Sequence, residues 1–258
     1  MTYRNMRARC CAALLVLPLL SAVVLDAQNP SRITPLPTVQ QVMDRYVAAL
    51  GGRDAIFKHK SMTIHGKFEV SNLSLDRVAY YKDGKMLYQI TLPNGDHYQE
   101  GYDGLVAWQV SPDKGAALSQ GDEVRAKQRD ADMYYPARIL DYFSAMEVVD
   151  VVDFEGHSCY HLKGTNKWGK VNEQFYDTTT GLLVGYRFNS NWRGGSGDES
   201  EVFSDYKDFG GWLMPTKSTG KSTDATQVQT TTSVTFDDVN DSVFVLPQSV
   251  KVLLKAKS

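Results

Sequence analysis

Apolar and polar residues alternate with a period of two along most of the chain after residue 60. In MTIHGKFEV, for example, Met62, Ile64 and Phe68 alternate with polar residues. Other runs repeat the pattern: Met86, Tyr88, Ile90 and Leu92; Leu182, Val184, Tyr186 and Phe188; and Val228, Val234 and Phe236 with Thr230 and Thr232. The pattern predicts strands with one buried face each, which is typical of antiparallel sheets.

Short turn sequences separate these runs. They are KDGK, PNGD, YDGL, DTTTG and DFGGW. Asp-Gly, Asn-Gly and Gly-Gly pairs supply the positive φ angles that tight hairpins require. The spacing of runs and turns predicts about eleven strands joined mainly by hairpins.

Two regions break the strand pattern and predict helices. Thr38–Leu50 begins with a Thr38-x-x-Gln41 capping box and ends at Gly51-Gly52. Between Asp122 and Ala145 the sequence predicts two short helices divided at Pro136. The second of these, Pro136–Ala145, has the clearer apolar stripe.

The strands carry more apolar surface than these helices can cover. Eleven strands at about 4.8 Å spacing give a sheet roughly 50 Å wide, whereas three helices about 10 Å across cover roughly 30 Å. A soluble monomer does not expose an apolar face of that size. The sheet must therefore curl on itself, pair with a partner or hold an apolar ligand.

The first residues predict export. Arg4, Arg7 and Arg9 precede a short apolar run that Pro18 interrupts, as in a secretory signal peptide. We expect residues 1–27 to be this signal, 28–37 a Pro-rich linker and 38–258 a single domain. An uncleaved membrane anchor is the alternative. Cys159 is then the only cysteine after the signal, which excludes an internal disulfide in the mature chain.

Charge and motifs exclude several functional classes. The formal net charge is −2 without a basic block, so no nucleic acid is expected as a partner. The sequence contains neither G-x-S-x-G nor H-E-x-x-H. GKST at 220–223 resembles the end of a phosphate loop, but Pro215 stands where the first glycine belongs.

HSCYH is the sharpest candidate for chemistry. In a strand, His157, Cys159 and His161 would point to the same side, with ligand types that suit zinc or copper. The alternative is a strand that buries Tyr160 and Leu162 instead. A pair of carboxylates distant in the chain could also hydrolyse a glycosidic bond. A secreted hydrolase therefore stays open as an alternative function.

Six segments, in this order, resemble the LolA/LolB-like superfamily of outer-membrane lipoprotein-sorting proteins. They are YVAALGGRDAI (46–56), GYDGLVAWQV (101–110), FEGHSCYHLKG (154–164), FYDTTTGLLVGYRF (175–188), DYKDFGGWLMPTK (205–217) and FDDVNDSVFVLP (236–247). The resemblance implies an incomplete antiparallel β-barrel with helices over its apolar face. It also implies a carrier that holds acyl chains of lipids or lipoproteins, without a cofactor or catalysis. Arg138 is the nearest match to an arginine that fastens the helices in some carriers.

We therefore expect a monomeric periplasmic or secreted carrier, with no catalytic residue, metal or cofactor and with an envelope donor or acceptor protein as a possible partner. The predicted cavity wall is Met62, Ile64, Phe68, Tyr88, Ile90, Leu182, Val184, Tyr186 and Phe188. The predicted lid is Val42, Met43, Tyr46, Ile139, Leu140 and Phe143. A non-catalytic sensor or interaction module of the same fold is the closest alternative.

Overall fold

The computed structural model describes residues 35–189, 198–222 and 225–256. The predicted signal peptide and residues 28–34 of the predicted linker lie outside these ranges. No helix within them has the length and apolar character needed to cross a bilayer.

The helices confirm the first predicted helix and add others. Thr38 accepts a hydrogen bond from the backbone of Gln41, and the Gln41 side chain accepts one from the Thr38 backbone, so the capping box forms. The helices are α1 Val39–Ala49, α2 Gly52–Phe57, α3 Asp122–Asp130, α4 Tyr135–Arg138 and α5 Gln248–Lys255, with 3-10 helices at Ile139–Tyr142 and Asp241–Phe244.

Thirteen strands lie within the described ranges, two more than the alternation indicated. They are β1 Ser61–Val70, β2 Leu73–Lys82, β3 Lys85–Thr91, β4 His97–Tyr102, β5 Ala107–Ser111, β6 Gly115–Leu118, β7 Phe143–Phe154, β8 His157–Asn166, β9 Val171–Asp177, β10 Leu183–Asn189, β11 Asp198–Phe209, β12 Trp212–Lys221 and β13 Thr226–Phe236. Strands as short as β6 hold too few residues to display a period of two.

All thirteen strands form one open antiparallel sheet. Its order is β6-β5-β4-β3-β2-β1-β13-β12-β11-β10-β9-β8-β7. Strands that are neighbours in the sheet are also consecutive in the chain, except β1 and β13. This pair joins two meanders, β1–β6 and β7–β13. The mainly antiparallel half-barrel architecture predicted from the sequence is thereby confirmed.

The sheet buries residues on both faces. Helices α1, α3 and α4 pack against one face, which we call the inner face. The largest core lies there and includes Tyr46, Leu162 and Trp212. On the outer face, α5 covers β5 and β6, and the 3-10 helix Asp241–Phe244 covers β3; Val250, Phe244, Trp108 and Leu87 share one core there. Helix α5 was not predicted, because VKVLLK fits the apolar spacing of a strand as well as that of a helix.

Two β-bulges correct the predicted faces. In β10 the register shifts between Leu183 and Gly185, so Val184 moves to the outer face with Phe154 and Phe175. Its predicted place beside Tyr186 is wrong. In β13, Ser233 pairs with His65 and Thr231 pairs with the next residue, Gly66, so Thr232 has no paired residue on β1. Val228 therefore faces away from Val234 and Phe236, because an extra residue reverses the alternation.

The second helix predicted between Asp122 and Ala145, Pro136–Ala145, is only partly helical. Helix α4 and the following 3-10 helix occupy residues 135–142, but Phe143 already begins β7. Phe143 pairs with Asn166, and Ala145 with Thr165. The helical reading of residues 143–145 is therefore wrong, because pairing with β8 outweighs local spacing.

Candidate functional site

A pocket lies between the helices and the inner face, at the junction of the two meanders. Its volume is about 230 Å³. Apolar or aromatic side chains form most of its wall: Tyr46, Leu50, Met62, Ile64, Tyr81, Met133, Pro136, Trp212, Leu213, Met214, Pro215 and Val234. Thr231, Asp130 and Asp132 complete it.

The strand period explains why these side chains meet. Met62 and Ile64 stand two residues apart on β1, so both point inward. Tyr81 of β2 lies opposite Met62, and Val234 of β13 lies opposite Ile64. Trp212 of β12 closes one end, where its ring stacks at 6.0 Å from Phe236. The wall is therefore continuous across four neighbouring strands, which belong to two hairpins far apart in the chain.

The two carboxylates at the pocket already have partners. Asp130 lies 2.7 Å from Arg129, and Asp132 lies 3.1 Å from Arg138. The hydroxyl of Tyr142 also donates to Asp132 at 2.7 Å. These contacts offset part of the acidic charge and occupy both carboxylates, so the pocket does not present a free carboxylate pair for catalysis.

The pocket tyrosines are uncharged. Burial raises the pKa of Tyr81 to about 12. Burial also raises the pKa of Tyr46 well above its usual value, with smaller contributions from Tyr206 and Tyr135. Both rings therefore offer apolar surface and a neutral hydroxyl across the whole physiological range.

The structure brings together only part of the predicted cavity wall. Met62 and Ile64 line the pocket. Tyr186 and Leu182 pack against the inner core but do not line the pocket. Phe68, Tyr88, Ile90 and Phe188 do not line the pocket, although the strand registers place all four on the inner face. Val184 is on the outer face.

The predicted lid is built into the core. Val42, Met43, Tyr46 and Ile139 are buried, and Leu140 and Phe143 pack against them. Only Tyr46 also lines the pocket. Most of the surface beneath α1 is thus filled by side chains of the protein itself, and the pocket is the space left at one end.

Hydrogen bonds fasten α1 and α2 to turns of the sheet. Arg45 donates to the carbonyl of Thr179 at 2.6 Å, and Lys58 donates to that of Gly210 at 2.5 Å. The carbonyl of Leu50 accepts from the backbone of Leu213 at 2.9 Å. Gly51 has a φ of 105°, and a Cβ there would lie 2.0 Å from the Gly211 oxygen. Only glycine permits this approach.

Arg138 does not fasten the helices to one another, which is the role that the family resemblance suggested for it. Its guanidinium bonds Asp132 and Asp141, which belong to its own segment. A link between α2 and α4 comes instead from Arg53, which donates to the carbonyl of Ala137 at 3.2 Å. Position in the sequence could not separate these arginines, because the choice depends on how α2 packs.

The side chains of HSCYH are committed to other contacts. His157 bonds Asp177 at 2.9 Å, and His161 bonds Asp150 at 3.0 Å. Between them Cys159 is buried, and burial, with Asp177 and Asp153 nearby, raises the pKa of its thiol to about 12. A protonated thiol is a poor metal ligand. The described residues contain no cluster of three side chains arranged for a metal.

Sequence reasoning missed most of the pocket wall. Trp212 and Met214 follow the Gly210-Gly211 turn with strand alternation, which was a usable signal. Leu50 and Met133 lie at helix or segment ends, where no periodicity marks an inward position. They reach the pocket only because the helices cross the sheet at this point.

The comparisons concern the fold. No protein-family model matches this chain, and no curated protein matches it. Among solved structures, a LolA superfamily protein from Nitrosomonas europaea has a TM-score of 0.56 at 11% identity, covering 82% of this chain and 99% of that one. A DUF1329 family protein from Desulfovibrio piger has a TM-score of 0.58 at 17% identity, with coverages of 82% and 98%.

A third structure, a domain from Vibrio parahaemolyticus named for outer membrane lipoprotein sorting, has a TM-score of 0.52 at 12% identity. The match covers 83% of this chain and 97% of the Vibrio chain. Such low identities establish architecture alone. The described chain therefore has the fold of LolA superfamily proteins, as the order of its sequence motifs implied.

Proposed function

We propose that this chain is an exported, non-catalytic carrier that binds an apolar chain between α1 and the inner face of the sheet. The ligand would be an acyl chain of a lipid or lipoprotein. The observation that carries the proposal is the pocket, whose wall is formed mostly by apolar and aromatic side chains. Burial of apolar surface there would stabilise a ligand by about 25 cal/mol per Å².

The size of the pocket limits how a ligand would bind. Its volume of about 230 Å³ is below the range of roughly 300–1,000 Å³ that is usual for small-molecule sites. It would accept the end of one chain, and deeper entry would require α1 or the α3–α4 segment to move. The fastening bonds of Arg45 and Lys58 would then oppose loading.

Location and partners follow from the same proposal. The amino-terminal pattern favours export to the periplasm or beyond. The LolA-like fold and the Vibrio relative's name support a place among envelope proteins that handle lipoproteins. A carrier of this kind would act as a monomer and exchange its ligand with a donor and an acceptor protein.

Fluorescence quenching tests the proposal directly. Trp212 lines the pocket and is 2% exposed. A brominated, uncharged ten-carbon alcohol that enters the pocket should quench it, whereas Trp212→Phe should lose that part of the quenching. Ile64→Phe, which fills the pocket, should weaken binding about tenfold or more.

The matched control is Val149→Phe, since Val149 is exposed on the edge strand β7. It should bind the alcohol as the unmodified chain does. Native mass spectrometry of the purified mature chain should also detect co-purified lipid. Absence of quenching together with absence of lipid would refute the carrier proposal.

A sensor or interaction module is the second candidate. It is favoured by the packing of Val42, Met43 and Tyr46 into the core and by the fastening of α1. In such a module α1 would stay closed. Amide hydrogen exchange in α1 that is as slow as that of β1, with and without added lipid, would favour this second function.

A further inference from the structure

On the inner face, the guanidinium of Arg77 has no carboxylate partner among the described residues. Arg77 lies on β2, four residues before Tyr81 and therefore on the same face. Directly opposite it on β1 is Gly66, which lies in turn opposite Thr231 on β13. Because Gly66 has no side chain, the guanidinium can cross β1.

Arg77 reaches β13 but is only partly satisfied there. Its Nη2 donates to the Thr230 carbonyl at 3.2 Å and to Thr231 Oγ1 at 3.0 Å. Its Nε is buried and has no hydrogen-bond partner among the described residues. Burial also lowers the pKa of Arg77 from its usual value, which shows how unfavourable the environment is for an uncompensated cation.

Most of the other charged groups described on this face have partners of opposite charge. Glu100 lies 2.7 Å from Lys127, and the pocket carboxylates lie against Arg129 and Arg138. Glu201 differs, since it accepts a hydrogen bond from the neutral hydroxyl of Ser218, and burial raises its pKa and so favours the uncharged acid. Within the described ranges, no carboxylate lies within salt-bridge distance of Arg77, and its two bonds are both to neutral oxygens.

The unpaired cation adjoins the pocket. Thr231 both accepts the bond from Arg77 and forms part of the pocket wall. A ligand with its chain beside Ile64 and Val234 would therefore have its polar end near the guanidinium. A carboxylate or phosphate matches the planar donors of arginine and would supply the missing charge.

We propose that Arg77 binds the anionic head of an amphiphile whose apolar chain occupies the pocket. This inference rests on the proposed function and narrows its ligand class to chains with a carboxylate or phosphate head. The competing explanation is structural, since Arg77 also ties β2 to β13 across β1. A purely structural arginine would not distinguish charged from neutral ligands, and the test uses that difference.

The experiment compares three brominated ten-carbon probes on the mature chain at neutral pH: the fatty acid, the alkyl phosphate and the alcohol. Quenching of Trp212 gives the affinity for each. We expect at least one anion to bind about tenfold more tightly than the alcohol, as charge-assisted hydrogen bonds permit. The better anion identifies whether the carboxylate or the phosphate head is preferred.

Arg77→Gln should remove this advantage and leave alcohol binding unchanged. Arg187→Gln is the matched control, because Arg187 stacks on Phe154 and Phe175 of the outer face. It should keep the preference for the anion. Circular dichroism and thermal unfolding establish that both variants fold.

The outcomes separate this inference from the proposed function. Equal affinities of the unmodified chain for alcohol and anions would overturn the role of Arg77 while leaving the carrier intact, and this comparison needs no variant. A preference that persists in Arg77→Gln would overturn it as well. Failure of every probe to quench Trp212 would overturn the role of Arg77, and absence of co-purified lipid as well would overturn the carrier proposal.

Discussion

The two halves of the sheet use the same inner face differently. From β8 to β12 it is mostly apolar and filled: Leu162, Tyr176 and Leu183 pack beneath α1 in one core. From β2 to β4 it carries Arg77 and the ion pair of Glu100 with Lys127. The pocket lies where these halves meet. The apolar half thus supplies most of the fold's packing, whereas the polar half offers groups that could recognise a ligand.

The packing difference predicts the largest effect. Leu162→Ala should cost about 4 kcal/mol of unfolding free energy, because Leu162 is 0% exposed and its neighbours cannot collapse into the space. Leu75→Ala makes the same chemical change on β2, outside the large core, and should cost about 2 kcal/mol. Denaturant unfolding measures both. Equal losses would mean that the two halves are packed alike.

The ion pair of the polar half predicts the next effect. Lys127 and Glu100 have side chains only 7% and 16% exposed. Lys127→Met should cost about 3 kcal/mol by leaving a buried carboxylate unpaired. Adding Glu100→Gln should restore much of the loss, and a double-mutant cycle measures the coupling. A single variant as stable as the parent would contradict this account.

A carboxylate of the apolar half predicts a pH effect. Partial burial raises the pKa of Asp177, but bonds donated by Thr180, His157 and Thr179 outweigh burial and lower the pKa to about 2 from its ordinary 3.8. The folded state therefore binds this proton more weakly than the unfolded state. The resulting stabilisation, about 2 kcal/mol, is complete above pH ~4 and is lost as the pH falls toward 2.

Asp177→Asn tests that effect. Urea unfolding from pH 6 to pH 2 should show a shallower decline in stability for the variant than for the parent chain. Asp153→Asn is the control, since Asp153 accepts a hydrogen bond from Gly156 in the β7–β8 turn, whereas Asp177 accepts from Thr179 in the β9–β10 turn. Parallel pH profiles for Asp177→Asn and the parent would contradict the assignment.

The fastening of α1 predicts the smallest effect. Arg45→Met removes the bond to the Thr179 carbonyl at an exposed site and should cost about 1 kcal/mol or less. Its clearer consequence should be faster amide exchange in α1. Arg53→Met, which frees α4 from α2 instead, is the comparison. Unchanged exchange in α1 would mean that core packing alone holds the helix.

Local signals in the sequence were reliable where neighbours along the chain decide the structure. The capping box at Thr38 and Gln41 and the regular alternation of β1 both formed as predicted. The bulges at Val184 and Thr232 were invisible, since a bulge depends on the partner strand. Most of the pocket wall was missed for the same reason, because Trp212, Tyr81 and Met133 meet only across the fold.

The sequence by itself determined an antiparallel sheet with too much apolar surface for its helices, since a period of two is a property of neighbouring residues. The tertiary structure decided where that surface is filled by the protein and where a pocket remains. It also decided that Arg77 lies opposite a glycine and beside the pocket, with no carboxylate from the described residues in ion-pair contact. These outcomes depend on pairing between strands remote in the chain, which no local pattern encodes.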